Sequence, residues 1–180
     1  MKAITIFQPW ASLIALGVKT IETRSWKTNY RGPLAIHAAK TTNELEFLAG
    51  ANHRTTAEQA IVDALRPYFT KWDDLPLGSV VAVANLADCI PMYEDTVDEW
   101  GLWHNEPPIE DDSFLTVGSS LMYWTPSAFG HGSAGRHITD QRPYGDFQPG
   151  RWAWLLEDIQ PLPEPIPAKG EQKLWNWERA

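Results

Sequence analysis

Apolar residues change their spacing several times within the first forty positions of the chain. Ala3–Gln8 has the short apolar alternation of a strand. Pro9 suits the first turn of a helix, where its missing N–H costs nothing. Trp10, Leu13 and Ile14 then fall at helical spacing, and Gly17 is placed to end that helix. From Thr20 to Trp26 the period drops to two. Ile21, Thr23 and Ser25 share one face, and Glu22, Arg24 and Trp26 share the other. Tyr30-Arg31-Gly32-Pro33 reads as a turn. The strand after it carries Leu34, Ile36 and Ala38 on one face and His37 on the opposite one.

Two helix starts follow. Thr41-x-x-Glu44 and Thr55-x-x-Glu58 both have the capping-box pattern. The second precedes the stripe Ala60, Ile61, Ala64, Leu65, and Pro67 stops it. After a turn at Leu75-Pro76-Leu77-Gly78, the Val-rich run Ser79–Ile90 predicts a central strand. Residues 91–147 break every pattern with Pro, Gly and acidic clusters, so a long insertion with one short helix near Val97–Trp103 is expected there. Arg151–Glu157 predicts another strand. Pro161, Pro163, Pro165 and Pro167 predict an extended connection, and Lys173-Leu174-Trp175-Asn176-Trp177 is apolar enough to dock. Strands with a few scattered helices favour an α+β fold on a small barrel over a doubly wound sheet. One domain over residues 1–180 is expected, with 91–147 inserted in it.

Composition sharpens this picture. The 180 residues are 43% hydrophobic and 21% charged, as in ordinary globular chains. Charge is unevenly spread. Residues 1–40 hold six basic residues and one acid, net +5, whereas the remaining 140 hold nine basic and 22 acidic residues, net −13. A local anion site on an acidic body follows. Tight non-specific binding to long duplexes, which needs broad phosphate neutralisation, does not. The ten tryptophans include candidates for a stacking surface. A lone Cys89 excludes an intrachain disulfide and a CxxC metal knuckle. The start has no long apolar segment and no run of 18 apolar residues occurs, so a cytoplasmic protein without membrane association is expected.

Several chemistry-like signals fail on context. Gly130-x-Gly132-x-x-Gly135 has neither a buried strand before it nor an amphipathic helix after it. His131 and His137 lack metal-ligand spacing, Ser119 and Ser133 lack a nucleophile elbow, and Glu110-Asp111-Asp112 reads as a solvated loop. No metal and no cofactor are expected.

The basic segment matches a known pattern. Gln8-Pro9-Trp10 with Ala11-Ser12-Leu13-Ile14, then Gly17-x-Lys19-Thr20-Ile21-Glu22-Thr23-Arg24, Arg31-Gly32 and Ile36-His37-Ala38-Ala39 closely resemble the ASCH domain. Gly150-Arg151-Trp152-Ala153-Trp154 and Lys169-Gly170-x-Gln172 look like its bacterial and phage branch. The resemblance implies a PUA-like small β-barrel with flanking helices and a long insertion. It implies a cleft for RNA or a modified nucleobase near the first helix and the Lys-Thr strand. Small ASCH proteins that deacetylate N4-acetylcytidine use a Lys, a Thr three residues on and a distant Glu. Lys19 matches the Lys, but Glu22 stands where the Thr would be.

Two readings of the segment stand beside a purely structural ion-pair network. In the first, the protein binds RNA or a modified nucleoside or nucleotide. Trp26 and Trp10 stack, Gln8 and Glu22 read base edges, and Lys19, Arg24 and Arg31 meet phosphate or carbonyl oxygens, with His37 a further contact. In the second, it is an amidohydrolase acting on an acylated nucleobase, or a ribonuclease, with Lys19 and Glu22 catalytic. A free lysine titrates near about 10.4, so Lys19 would need desolvation or nearby cations to act as a base. The sequence leaves the oligomeric state open.

Overall fold

The chain forms two compact units. One comprises Met1–Thr20, Tyr30–Ala87 and Leu156–Ala180, and the other comprises Ile21–Asn29 and Asp88–Leu155. The computed structural model describes residues 1–50, 53–94, 114–117, 121–126, 133–137 and 139–178. Among these, no helix is long and apolar enough to cross a membrane.

In the first unit, β1 (Lys2–Ile6) lies parallel to β3 (Gly32–Ala38), with Lys2 opposite Leu34 and Ile6 opposite Ala38. A parallel pair requires a crossover, and α1 (Trp10–Ala15) lies within it. This helix buries Ala11, Leu13 and Ile14, the stripe expected from its spacing. Gly17 ends it at φ 72°, a conformation that glycine adopts without steric cost. Gly17 N–H donates to Ile14 (2.8 Å) and Val18 N–H to Leu13 (3.0 Å), the paired closure of a Schellman turn.

The other edge of β3 pairs antiparallel with the first part of β4 (Ser79–Glu94), with a register shift between Ile36 and His37. Two helices follow β3. α3 (Thr56–Leu65) has the predicted capping box: Thr55 Oγ1 accepts from Glu58 N–H and Thr55 N–H donates to the Glu58 carboxylate. α2 (Asn43–Gly50) starts one residue later than predicted. Thr42 rather than Thr41 adjoins it, and its hydroxyl donates to Glu46 at 2.6 Å.

In the second unit, β2 (Ile21–Arg24) pairs antiparallel with the start of β8 (Trp152–Pro167). The end of β4 pairs parallel with β5 (Phe114–Val117). β6 (Leu121–Pro126) and β7 (Ser133–His137) continue antiparallel. These three strands lie in the stretch where only a short helix was expected. Four to six residues show too few alternations to stand out between turn formers. The expected helix near Val97–Trp103, the acidic cluster, Ser119, Gly130, His131 and Gly132 lie outside the described residues.

The architecture is a mixed α/β arrangement. The expected small barrel is not what the described strands form: β8 pairs with both β2 and β4, and the pairings do not close on themselves. One reason is local to β8, which continues as strand through the segment expected to be a mere connection. Pro161, Pro163, Pro165 and Pro167 recur at period two, so their missing N–H groups all fall on one edge. That edge cannot donate to a further strand. Leu162 and Ile166, on the opposite side-chain face, pack on Ala3, Ala35, Val80, Trp175 and Trp177.

The tail docks as expected. β9 (Leu174–Asn176) pairs antiparallel with β1. The terminal ammonium of Met1 donates to the Trp177 carbonyl at 2.7 Å, and Trp177 N–H donates to Met1 at 2.8 Å. Thr5 Oγ1 accepts from Trp175 Nε1 and donates to the Glu171 carbonyl. His37 completes this anchor. Its Nε2 lies 3.1 Å from the Ala168 carbonyl, which can only accept, so Nε2 carries the proton and Nδ1 is left as a lone pair. The ring meets Trp175 edge-on with centroids 5.6 Å apart. Gly170 leaves no space for a side chain: a Cβ there would sit 2.7 Å from His37 Nδ1 and 2.9 Å from Thr5 Oγ1.

Two predictions follow from this anchor. Gly170→Ala overpacks it and lowers unfolding stability by about 1–3 kcal/mol, read from denaturant or thermal unfolding; an unchanged midpoint would refute the tight contact. Burial lowers the His37 pKa below its ordinary 6.5, only partly offset by the Ala168 bond. The unfolded chain therefore binds more protons below that value. Stability is full above about pH 6.5 and declines as pH falls towards the folded-state value. His37→Phe should be less stable at neutral pH yet show a flatter slope between about pH 7 and about pH 5.

Candidate functional site

The antiparallel register of β2 and β8 sorts eight side chains onto two faces. Ile21 lies opposite Leu155 and Thr23 opposite Ala153. Residues opposite one another share a face, and Ile21, Ala153 and Leu155 pack with Ile90, Met92 and Phe147 in a core cluster. The alternate pairs, Glu22 with Trp154 and Arg24 with Trp152, share the other face. Flanking bonds hold the register. Thr23 Oγ1 accepts from Asp146 N–H at 3.1 Å. Arg151 pairs with Asp146 at 3.3 Å, and its other amino group lies 3.4 Å from the Thr23 carbonyl. Gly150, at φ 81°, leads the chain into β8.

The polar face is a sheltered charge pair set among indoles. Arg24 Nε lies 2.9 Å from Glu22 Oε1. That nitrogen makes no linear hydrogen bond, so the contact is an ion pair by distance. The Glu22 side chain is 10% exposed and that of Arg24 24%. Beyond the strand end, Trp26 stands perpendicular to Trp154 with ring centroids 4.8 Å apart. Lys27 Nζ lies 5.1 Å from the Trp152 ring, within cation–π range. Trp26 and Trp152 are half-buried and Lys27 is exposed. Trp154 is wholly buried, and among the described residues its Nε1 has no hydrogen-bond partner. Such a face can stack a planar ring on indole, accept an amino hydrogen at Glu22, and offer cations to carbonyl or phosphate oxygens.

The remaining candidates belong to the first unit. Gln8 is buried and its amide is engaged at both ends: Nε2 donates to the Pro76 carbonyl at 2.8 Å, and Oε1 accepts from Ser12 N–H at 3.1 Å. The second bond occupies one of the free N–H groups at the start of α1. Trp10 is half-buried at the head of that helix. Lys19 follows the Schellman turn, its N–H donating to Leu13, and is 1% exposed. Arg31 is exposed and donates to the Tyr30 carbonyl at 3.0 Å. His37 is committed to the tail anchor.

Thus β2 brings Glu22, Arg24 and Trp26 together, Gln8 bonds through both ends of its amide within the fold, and His37 does so through Nε2. Sequence reasoning missed Trp152, Trp154 and Lys27 as their neighbours. The alternation at 152–154 makes one strand face aromatic, and core packing is the default reading of such a face. Only the pairing of β8 with a strand some 130 residues earlier decides which face those indoles share. Among the described residues, no group of three His, Cys, Asp or Glu side chains is arranged to hold a metal ion.

Known proteins are similar to part of this chain. Activating signal cointegrator 1 of Homo sapiens is 35% identical over 93 residues, and its Mus musculus counterpart is 34% identical over 92. Each alignment covers 51% of this chain but only 15% of the relative, so the chain matches a small part of those proteins. The family model described as the ASCH domain matches residues 4–119. That span is more than half of the chain and runs from β1 through β2 to β5, and on it this protein belongs to the ASCH domain family.

Proposed function

We propose that the protein binds single-stranded RNA or a modified nucleobase on the β2–β8 face. The observation that carries this reading is the Glu22–Arg24 ion pair lying on one face with Trp152 and Trp154, beside Trp26. Trp26 and Trp152 supply the half-buried rings on which a base stacks. Glu22 accepts from an exocyclic amino group, and Arg24 and Lys27 meet carbonyl or phosphate oxygens. The ligand is short, because the cations are few and the body of the chain is acidic. Membership of the ASCH family supports RNA recognition. In this reading the family's PUA-like domain spans residues 1–180, with 91–147 as an insertion.

Glu22 also bears on the hydrolytic alternative. It stands where the related deacetylases carry a Thr hydroxyl, and its ion pair with Arg24 suits an acceptor better than a nucleophile.

Fluorescence anisotropy with a short labelled single-stranded RNA at low salt tests the proposal. Saturable binding is expected, with a shallow salt dependence: a log–log slope of about −1 to −2, reflecting the two cations. Trp152→Ala should weaken binding by about 1–3 kcal/mol. No saturable binding to RNA or to N4-acetylcytidine would sink the reading. Turnover of N4-acetylcytidine that Lys19→Ala abolishes would replace it with hydrolysis.

A further inference from the structure

The indole N–H of Trp154 is a buried donor with no acceptor among the described residues. Leaving such a group unpaired costs about 1–3 kcal/mol, and buried polar groups are otherwise almost always paired. A phenylalanine would fill much of the same space without this cost. Burial alone therefore does not account for tryptophan here.

The setting of the donor supplies the missing reason. Trp154 lies directly opposite Glu22, where cross-strand Cβ atoms are about 4.5–5.5 Å apart. The residue that carries the donor is thus the cross-strand neighbour of one that carries a carboxylate, on a face that also holds Arg24 and Trp152. Trp26, the ring packed against Trp154, is itself only half-buried and lies past the end of β2. His37 Nδ1 makes the contrast. It too is buried and unpaired, but the backbone of Gly170 is packed so closely against it that even a methyl carbon has no room.

We infer that Trp154 Nε1 is a base-reading donor. It donates to a ring nitrogen or carbonyl oxygen of a nucleobase that enters as Trp26 moves aside, while a neighbouring N–H of the same base donates to Glu22. Nucleobase edges place donors and acceptors next to one another, and an indole N–H and a carboxylate on cross-strand neighbours complement that arrangement. The residue then sets specificity for the base, as distinct from affinity for the phosphate backbone. This inference rests on the reading of the β2–β8 face as a nucleobase site.

The test compares Trp154→Phe with the unaltered protein on a short mixed-sequence RNA and on an abasic oligomer of the same length. The variant should lose about tenfold in affinity for the RNA, as expected for a hydrogen bond to a buried donor, and nothing on the abasic strand. In the unaltered protein, the Trp154 indole N–H resonance should shift and exchange more slowly with solvent at saturating RNA. Equal affinity of variant and unaltered protein for the RNA, or an equal loss on both oligomers, overturns the proposal. If the variant does not fold, an indole resonance that saturating RNA leaves unmoved overturns it alone. Absence of RNA binding by the unaltered protein instead overturns the underlying reading of the face.

Discussion

The antiparallel register between β2 and β8 is the constraint on which the candidate site depends. It puts Ile21, Ala153 and Leu155 into a core cluster and, by the same alternation, turns Glu22, Arg24, Trp152 and Trp154 to the other face. The two outcomes are inseparable because side-chain direction has a period of two. A slip of one residue would drive the ion pair into the apolar cluster and expose the aliphatic side chains. Core burial therefore specifies the site without needing a contact of its own. The bonds among Thr23, Asp146 and Arg151 reinforce the same register from its flank.

A second constraint works on the first unit. The last strand is short, and three residues of β9 make a weak ladder alone. It is held by bonds at both levels: the backbone of Trp177 pairs with Met1, and the side chains of Thr5, His37 and Trp175 interlock beneath it. Gly170 matters here for space rather than for an unusual backbone angle. The histidine at this anchor is neutral because its neighbourhood is desolvated, which makes the anchor favourable at neutral pH and weaker in acid.

The candidate face holds two features that work against folding. The Trp175 N–H finds a partner in Thr5. On the β2–β8 face a buried indole lacks one, and a charge pair is kept at a largely enclosed position. Both features oppose stability, since unpaired donors and desolvated charges are costly. Local conflicts of this kind gather where a surface is shaped for something other than folding.

The sequence by itself determined the elements whose signals are local. The Gly17 stop, the Thr55–Glu58 box, the Pro67 break and the period-two stretch through Glu22 and Arg24 are each written within a few residues, and each depends on chemistry that neighbours in the chain complete. The ASCH resemblance lay in the same contiguous stretch. Short strands β5–β7 escaped because alternation over so few positions cannot be told from chance. What only the tertiary structure decided is which distant residues share a face. Gln8 and His37 read as free polar groups until Pro76 and Ala168 came to meet them. That Trp152 and Trp154 share a face with Arg24 and Glu22 appears only in the pairing of β8 with β2. Alternation records that a residue has two possible sides. The partner strand, far away in the chain, chooses between them.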